Sequence, residues 1–189
     1  MKYALIVLAA LAALVLVVVA VGAMLPVKHR ASRQVKLHQP PQKVFAVIND
    51  PASFPAWRGK VKGSKEIKVE ILPDKGGHRM FRETGADGTI LYEVVSVEPN
   101  KSLVTRIADP SLPFGGRWTY ELFPDGDSTT LRITEDGEVY NPVFRFVSRF
   151  ILGHHATIDQ YLRDVGKRFG EDSAAVIQDV VRSHAEEKV

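Results

Sequence analysis

The fold is decided by residues 116–153, which read GRWTYELFPDGDSTTLRITEDGEVYNPVFRFVSRFILG. Apolar and polar residues alternate on both sides of Asp125-Gly126, a dipeptide that is typical of tight β-hairpins. With this dipeptide as the turn, the following pairs share an apolar face: Trp118 with Ile133, Tyr120 with Leu131, and Gly116 with Glu135. The segment therefore predicts two paired strands, followed by a helix that begins at Pro142.

The predicted helix is long, because apolar residues recur at helical spacing from Val143 to Phe169. Gly153 is expected to kink this helix, and Gly170 is expected to end it. The polar, amphipathic segment 171–189 predicts a further helix at the carboxyl terminus.

A second hairpin precedes the first, in LYEVVSVEPNKSLVTRI at residues 91–107. A two-residue turn at Pro99-Asn100 gives a register with one apolar face and one opposite-charge pair. In that register Tyr92 faces Ile107, Glu93 faces Arg106, Val94 faces Thr105 and Ser96 faces Leu103. Two more strands are predicted upstream, around 67–71 and 78–84, each bounded by turn residues.

The sequence before these strands predicts a short strand at 35–37 and two short helices. The helices lie within residues 40–61, PPQKVFAVINDPASFPAWRGKV, one from Pro40-Pro41 to Asn49 and one over about 51–57. The order is thus a strand, two helices, about six strands in hairpins and a long helix. An antiparallel sheet with one apolar face, closed by an amphipathic helix, is an α+β design.

An apolar run of 25 residues without charge occupies residues 3–27, although 25% of the whole chain is charged. As a helix this run would extend about 37 Å, enough to cross a hydrocarbon core about 30 Å thick. It is longer than the apolar core of most signal peptides, so we interpret it as a single transmembrane helix. A cleaved signal, with Val21-Gly22-Ala23 at the cleavage site, is the alternative.

The net charge is only +3, but it is unevenly distributed. Residues 28–69 contain ten Lys or Arg and two Asp or Glu, whereas residues 70–189 contain fourteen and twenty. Because the basic part follows the apolar run, its expected partner is an anionic membrane surface, and no nucleic acid is expected to bind. The same basic excess favours a cytoplasmic carboxy-terminal domain, with an exported domain as the alternative.

The chain contains no cysteine, which excludes disulfides, a cysteine nucleophile, thiolate metal sites and palmitoylation. The sequence also lacks the GxSxG, P-loop, GxGxxG and HExxH motifs. No cofactor is therefore predicted. His155 and Asp159 are spaced to share a helix face, but the sequence shows no third ligand nearby, so no metal site is predicted.

Three segments, 40–61, 91–107 and 116–153, resemble the SRPBCC or START-like superfamily, which includes polyketide cyclase/dehydrase-like and lipid-transfer proteins. The resemblance implies a helix-grip fold over roughly residues 31–170. In that fold an antiparallel sheet wraps around a long carboxy-terminal helix, and a hydrophobic cavity lies between them. It implies no catalytic residue, because the superfamily shares no catalytic motif. The predicted organisation is an anchor at 1–27, a START-like domain at 28–170 and a helical tail at 171–189.

The candidate ligand-binding residues belong mainly to the apolar face of the predicted sheet. Aromatic rings with a polar tip suit a pocket that is mostly apolar. The predicted set is Trp57, Tyr92, Trp118, Tyr120, Ile133, Glu135, Phe150 and His154. Plain core packing is the alternative for the aromatic members, and a surface role is the alternative for Trp57.

Glu135 is the candidate acid or base if the protein is an enzyme. A continued strand points it toward the apolar face, where a carboxylate can act as acid, base or ligand anchor. His154 is its predicted assistant. A strand that ends before Glu135, or an arginine paired with it for structural reasons, is the alternative.

Basic residues near the apolar run are candidate membrane contacts, namely Arg58, Lys60, Lys62 and Lys65. A solvated basic loop is the alternative for this set. Arg145 and Arg149 share a helix face beside Phe144, Phe146 and Phe150. These residues predict either a core helix with solvated arginines or an amphipathic segment near lipid.

The leading hypothesis is a membrane-anchored protein that binds a lipid-like or other hydrophobic small molecule in a helix-grip cavity. The alternative is a cyclase-, dehydratase- or hydrolase-like enzyme that uses the same cavity. A third hypothesis is a scaffold protein whose core is fully packed. The first two require Trp118, Tyr120 and Ile133 to face the long helix.

Overall fold

The computed structural model describes residues 2–59, 66–85, 88–153, 155–171 and 178–179. Helix α1, Lys2–Met24, carries no charge after Lys2 and is almost wholly exposed. Its length and its mean hydropathy of 3.3 suffice to cross a membrane, and the described residues contain one such helix. The chain leaves α1 through Pro26 and enters the sheet directly.

The first strand and two short helices follow α1 in the predicted order. Strand β1 is Lys28–Leu37, longer than the strand predicted at 35–37, and α2 is Pro41–Ile48. A 3-10 turn, Pro51–Ser53, leads into α3, Phe54–Trp57. Prolines at the first turns start both helices without losing a hydrogen bond, since the first amides of a helix have no partner within it.

The sheet is antiparallel at every described pairing. Its remaining strands are β2 (Lys68–Lys75), β3 (His78–Gly85), β4 (Gly88–Glu98), β5 (Ser102–Ile107), β6 (Phe114–Asp125), β7 (Ser128–Val139) and the two-residue β8 (Gln178–Asp179). The order is β2-β3-β4-β5-β6-β7-β1-β8. The first and last parts of the domain thus meet, because β1 pairs with β7 along its whole length.

One side of the sheet, called here the inner face, carries the hydrophobic core. Helix α5, Ala156–Arg168, places Ile158, Leu162 and Val165 against it, and all three are fully buried. Val35 and Ile133 are fully buried from the sheet side. This is the α+β, helix-grip arrangement that was predicted, with the sheet packed around a carboxy-terminal helix.

The predicted long helix is divided into two. Helix α4, Pro142–Val147, begins where the Asn141 side chain accepts hydrogen bonds from the amides of Val143 and Phe144, and a π-helical turn, Ser148–Leu152, continues it. Gly153 then takes a φ of 72° and ends this half. The predicted kink at Gly153 is therefore a break, and only α5 packs on the inner face, while α4 packs against α1.

The β6–β7 hairpin is shifted by two residues from the predicted register. Its loop is Gly126-Asp127 rather than Asp125-Gly126, and the φ of 58° at Gly126 suits the first position of a type II′ turn. The observed pairs are Tyr120 with Ile133, Trp118 with Glu135 and Gly116 with Gly137. Because side chains alternate with period two, a shift of two keeps each residue on its predicted face.

The predicted pairing of the β4–β5 hairpin is confirmed for the residues farther from the turn and is wrong for those next to it. Tyr92 faces Ile107, Glu93 faces Arg106 and Val94 faces Thr105, as predicted. The loop has three residues, with Asn100 at a φ of 63°, and a bulge between Val94 and Ser96 absorbs the extra residue. Leu103 therefore faces Val97 instead of Ser96.

The carboxy-terminal tail departs from the predicted helix at the two positions that are described. Gln178 and Asp179 form β8 and pair antiparallel with Gln34 and Arg33 of β1. The prediction of a helix is wrong there, because the edge of β1 offers backbone groups that need partners. The rest of the segment after Glu171 lies outside the described residues.

Candidate functional site

The inner face is unevenly covered by helices. At the end remote from α1, Leu122, Leu131 and Val35 are buried. At the end where β1 begins and β7 finishes, several inner-face residues are only half-buried: His29, Tyr92, Ile107, Gly116, Trp118 and Glu135. We call this group the open end. It exists because α4 turns away at Gly153 instead of continuing along the sheet.

An aromatic cluster joins the open end to the core. Tyr161 on α5 is at its centre, with ring centroids 5.5 Å from Trp57, 5.8 Å from Trp118 and 5.7 Å from Tyr120. Tyr92 stacks on Phe81 with centroids 5.1 Å apart. Trp57, Trp118 and Tyr120 of the predicted ligand-binding residues are thus in one cluster. Tyr161 was not among the predicted ligand-binding residues, although it lies within the helical periodicity from Val143 to Phe169.

A buried ion pair lies inside this aromatic cluster. Arg58 Nη1 donates to Glu83 Oε2 at 2.6 Å, and its guanidinium lies 5.0 Å from the Phe54 ring centroid and 4.9 Å from that of Tyr161. Burial has the largest single effect and would lower the pKa of Arg58, but Glu83, Tyr161 and Tyr120 together outweigh it and raise the pKa. Asp164 of α5 accepts from the amide of Gly59 at 3.0 Å and holds the neighbouring backbone.

The location of Arg58 corrects the sequence prediction, which placed this side chain at a membrane surface. Its side chain is turned inward, because α3 packs on α5 and Glu83 supplies a partner on the inner face. Sequence reasoning missed Glu83. Its position two residues after Phe81, on the same face of an alternating strand, is the signal that would have found it.

Two tyrosine hydroxyls are enclosed next to the ion pair. Burial raises the pKa of Tyr120 to about 12, with Arg58 opposing the effect and Glu83 adding to it. Burial, reinforced by Tyr120, raises the pKa of Tyr161 well above its ordinary value, against the opposing effect of Arg58. The Tyr161 hydroxyl is buried beside that of Tyr120, but it makes no hydrogen bond of good geometry among the described residues. It is a polar point available to a ligand or a water molecule.

Glu135 lies at the open end, and its side chain is on the inner face, as predicted. Its Oε1 is 3.5 Å from His29 Nε2, and its cross-strand neighbours are Trp118 and Ala31. The predicted neighbour, Gly116, instead faces Gly137, and the His29 ring occupies the space above Gly137. The pairing partner of Glu135 is thus a histidine that the sequence analysis did not single out.

Two other predicted ligand-binding residues, Ile133 and Phe150, are not among the half-buried residues of the open end. Ile133 is fully buried and belongs to the packed core. Phe150 is 59% exposed and packs on Phe146, because the break at Gly153 separates its turn from α5. His154 and the candidate membrane contacts Lys60, Lys62 and Lys65 lie outside the described residues.

The start of α5 adds a second polar group beside the open end. Asp159 Oδ1 lies 3.2 Å from Arg33 Nε, and both side chains are mostly buried. His155 is the residue just before α5. Its Nδ1 atom is buried without a hydrogen-bond partner among the described residues. Within the described ranges, no three His, Asp or Glu side chains are grouped to hold a metal ion.

A cleft of about 1200 Å³ lies mainly on the opposite, outer face of the sheet. A row of cross-strand neighbours lines it, namely Glu93, Arg106, Arg117, Asp136 and Arg30. This charged lining does not suit an apolar ligand. The cleft also reaches His29, Ile107, Gly116 and Gly137, so the open end is connected to it.

One cavity enclosed on the inner face is small by comparison. A cavity of about 10 Å³ lies between α2, α3 and the sheet, beside Phe54, Thr105 and Tyr120. It has room for about one water molecule. Ligand binding on the inner face would therefore use the open end, or need the helices to move apart.

Comparison with protein families places residues 28–163 in one family, described as polyketide cyclase/dehydrase and lipid transport. Comparison with curated proteins finds no match. The family match covers strands β1 to β7, helices α2 to α4 and the first part of α5.

Several solved structures share the fold. A START superfamily protein from Mycobacterium smegmatis is 19% identical, with a TM-score of 0.53 over 74% of this chain and 99% of its own. A truncated norcoclaurine synthase from Thalictrum flavum is 15% identical, with a TM-score of 0.59 over 76% of this chain and 94% of its own. A protein from Mesorhizobium loti is 20% identical, with a TM-score of 0.55 over 75% and 97%. At these identities the likeness shows the fold alone.

The family match spans most of the elements that form the inner face. They include the sheet from β1 to β7 and the first part of the helix that packs on it. The chain belongs to the polyketide cyclase/dehydrase and lipid transport family.

Proposed function

We propose that this protein is a membrane-anchored binding protein that holds a lipid-like or other hydrophobic small molecule at the open end of the inner face. The observation that carries the proposal is the half-burial of Tyr92, Ile107 and Trp118 beside one polar pair, Glu135 and His29. Such a site binds a ligand with an apolar body and one polar group. Each Å² of apolar surface removed from water contributes about 25 cal/mol.

The position of the open end supports access from a bilayer. Strand β1 enters this end directly after α1, and β7 leaves it directly before α4, which packs on α1. With α1 as a membrane anchor, the open end lies on the membrane side of the domain. A ligand that resides in the bilayer would reach the site without crossing much water.

The test is lipid extraction and mass spectrometry of the full chain purified from membranes. Ile107→Trp fills the open end, and Val104→Trp is its matched control, because Val104 lies on the outer face of the same strand β5. We expect the wild-type protein and the Val104 variant to carry the same apolar ligand and the Ile107 variant to lose it. Folded wild-type protein without any apolar ligand would overturn the proposal, as would equal ligand content in both variants.

An enzyme in the same site is the second candidate, favoured by the 3.5 Å approach of His29 Nε2 to Glu135 Oε1. A carboxylate and an imidazole at that distance can move a proton to or from a bound ligand. In that case Glu135→Gln should change the mass of the ligand that co-purifies, because the substrate accumulates unconverted. Identical ligands in the wild-type protein and this variant would favour binding alone.

A further inference from the structure

We propose that the segment Pro142–Leu152, formed by α4 and the π-helical turn, is a second membrane-contact element that lies in the bilayer surface beside α1. The inference rests on the part of the proposed function that makes α1 an anchor. Its partner is the lipid bilayer at the boundary between headgroups and acyl chains. The observations concern packing, exposure and charge, and each is independent of the ligand.

The first observation is the close contact between this segment and α1. Gly22 is the buried residue of α1, and a Cβ at that position would come within 2.0 Å of the Pro142 carbonyl oxygen. Arg145 Nη1 donates to the carbonyl of Leu25 at 2.7 Å, just past the end of α1. The segment is therefore held mainly by the end of the apolar helix, with a smaller contact to strand β7.

The second observation is the exposure of large apolar side chains on the same segment. Phe144 is 53% exposed, Phe150 is 59% exposed and Ile151 is 69% exposed. Helix α4, which carries Phe144, packs against α1, and the π-helical turn with Phe150 and Ile151 continues directly from α4. Exposed apolar patches of this kind mark contact sites, and a bilayer already surrounds the neighbouring α1 if it is inserted.

The third observation is that basic residues lie close to the carboxyl end of α1. Arg145 binds the backbone at Leu25, and Lys28 and Arg30 follow at the start of β1 with exposed side chains. Basic side chains prefer the headgroup layer, and apolar side chains prefer the boundary just below it. This arrangement places Arg145 and Lys28 at the headgroups, with Phe150 and Ile151 available to dip beneath them.

The break at Gly153 makes this placement possible. A continuous helix would hold residues 142–152 along the inner face with α5. The φ of 72° at Gly153 separates the two halves, so α5 packs on the sheet while α4 packs on α1. One predicted helix thus supplies a core element and a membrane element.

The test uses the absence of cysteine from the chain, which makes single labels unambiguous. Phe150→Cys and Ile151→Cys each carry a nitroxide in the full chain, reconstituted into phosphatidylcholine–phosphatidylglycerol vesicles. Spin relaxation by oxygen, which enters lipid, is compared with relaxation by a water-soluble nickel chelate. Leu14→Cys in α1 is the lipid reference. Phe123→Cys is the water reference, because it is exposed on β6 at the end of the sheet remote from α1.

We expect labels at 150 and 151 to favour oxygen, as at Leu14, and the label at Phe123 to favour nickel. Nickel preference at 150 and 151 would overturn the inference, and so would shielding from both reagents, which would indicate a protein contact. These results leave ligand binding by the domain intact. Nickel preference at Leu14 would instead remove the anchor, and with it both this inference and the membrane part of the proposed function.

Discussion

Arg58 Nη1 lies 2.6 Å from Glu83 Oε2 inside an aromatic enclosure between α3, α5 and strand β3. Charged pairs away from water are costly unless their geometry is good, and here the guanidinium also lies over two aromatic rings. The pair ties the end of the short helix α3 to strand β3 on the inner face. Its contribution to stability can be measured by mutation.

Arg58→Met should destabilise the domain by about 3 kcal/mol, because it leaves the Glu83 carboxylate enclosed without its partner. The Arg58→Met/Glu83→Leu double variant should recover most of this loss, since both charges are then gone. Chemical denaturation of the full chain in detergent, followed by tryptophan fluorescence, measures both. A double variant that is as unstable as the sum of the single variants would show that the pair itself contributes nothing.

Tyr161→Phe should leave the stability unchanged or raise it by about 1 kcal/mol, because the lost hydroxyl is buried without a hydrogen bond of good geometry. If the hydroxyl anchors a ligand, the same variant should bind that ligand more weakly. Unfolding curves and the amount of co-purified ligand are the two measurements. A large loss of stability would mean that the hydroxyl has a hydrogen bond in solution, for example to water.

The stability should fall at alkaline pH. The pKa of Tyr120 is raised to about 12 by burial, and that of Tyr161 is raised in the same direction. A raised pKa in the folded state gives stability that is complete below the ordinary tyrosine pKa of about 10 and is lost as the pH rises toward 12. For Tyr120 the loss amounts to about 3 kcal/mol in total. Denaturation midpoints at about pH 9 and about pH 11 test this.

The control for the alkaline effect is the Tyr120→Phe/Tyr161→Phe double variant. It should lose less stability than the wild-type protein between these two pH values, because the groups that titrate are gone. An equal loss in both proteins would assign the effect to other groups.

Gly22→Leu should detach α4 from α1, because even a Cβ at Gly22 would overlap the Pro142 carbonyl. Ala23→Leu is the matched control, since Ala23 is the next residue and is exposed. Hydrogen exchange of the amides in Arg145–Val147 should become faster in the Gly22 variant and stay unchanged in the control. Equal exchange in the two variants would show that the contact with α1 does not hold α4 in place.

The face of each sheet residue was predictable, whereas the partner of each residue was not. Trp118, Tyr120 and Glu135 lie on the predicted side, because alternation along a strand depends only on the strand itself. Their partners depend on the turn, and the loop at Gly126-Asp127 moved the register by two. In the β4–β5 hairpin the loop is one residue longer than predicted, and the bulge between Val94 and Ser96 offsets that residue. The predicted pairs of Tyr92, Glu93 and Val94 are therefore observed.

The contacts made by helices were harder to predict than the sheet. The alternation in β3 was visible, but nothing in the sequence showed that α3 would bring Arg58 opposite Glu83. Helical periodicity from Val143 to Phe169 was also correct in each half. It could not reveal that Gly153 would separate the halves, because the alternative partner of α4 is the distant segment α1.

Strand β2 lies at one edge of the sheet, where a strand of a neighbouring copy could pair with it. It carries Pro73, which lacks an amide donor, together with terminal Lys68 and Lys75 and an irregular register after Leu72. Such an edge is a poor template for another strand. If α1 anchors the chain as proposed, neighbouring copies crowded on the same membrane should therefore resist joining edge to edge into extended β-aggregates.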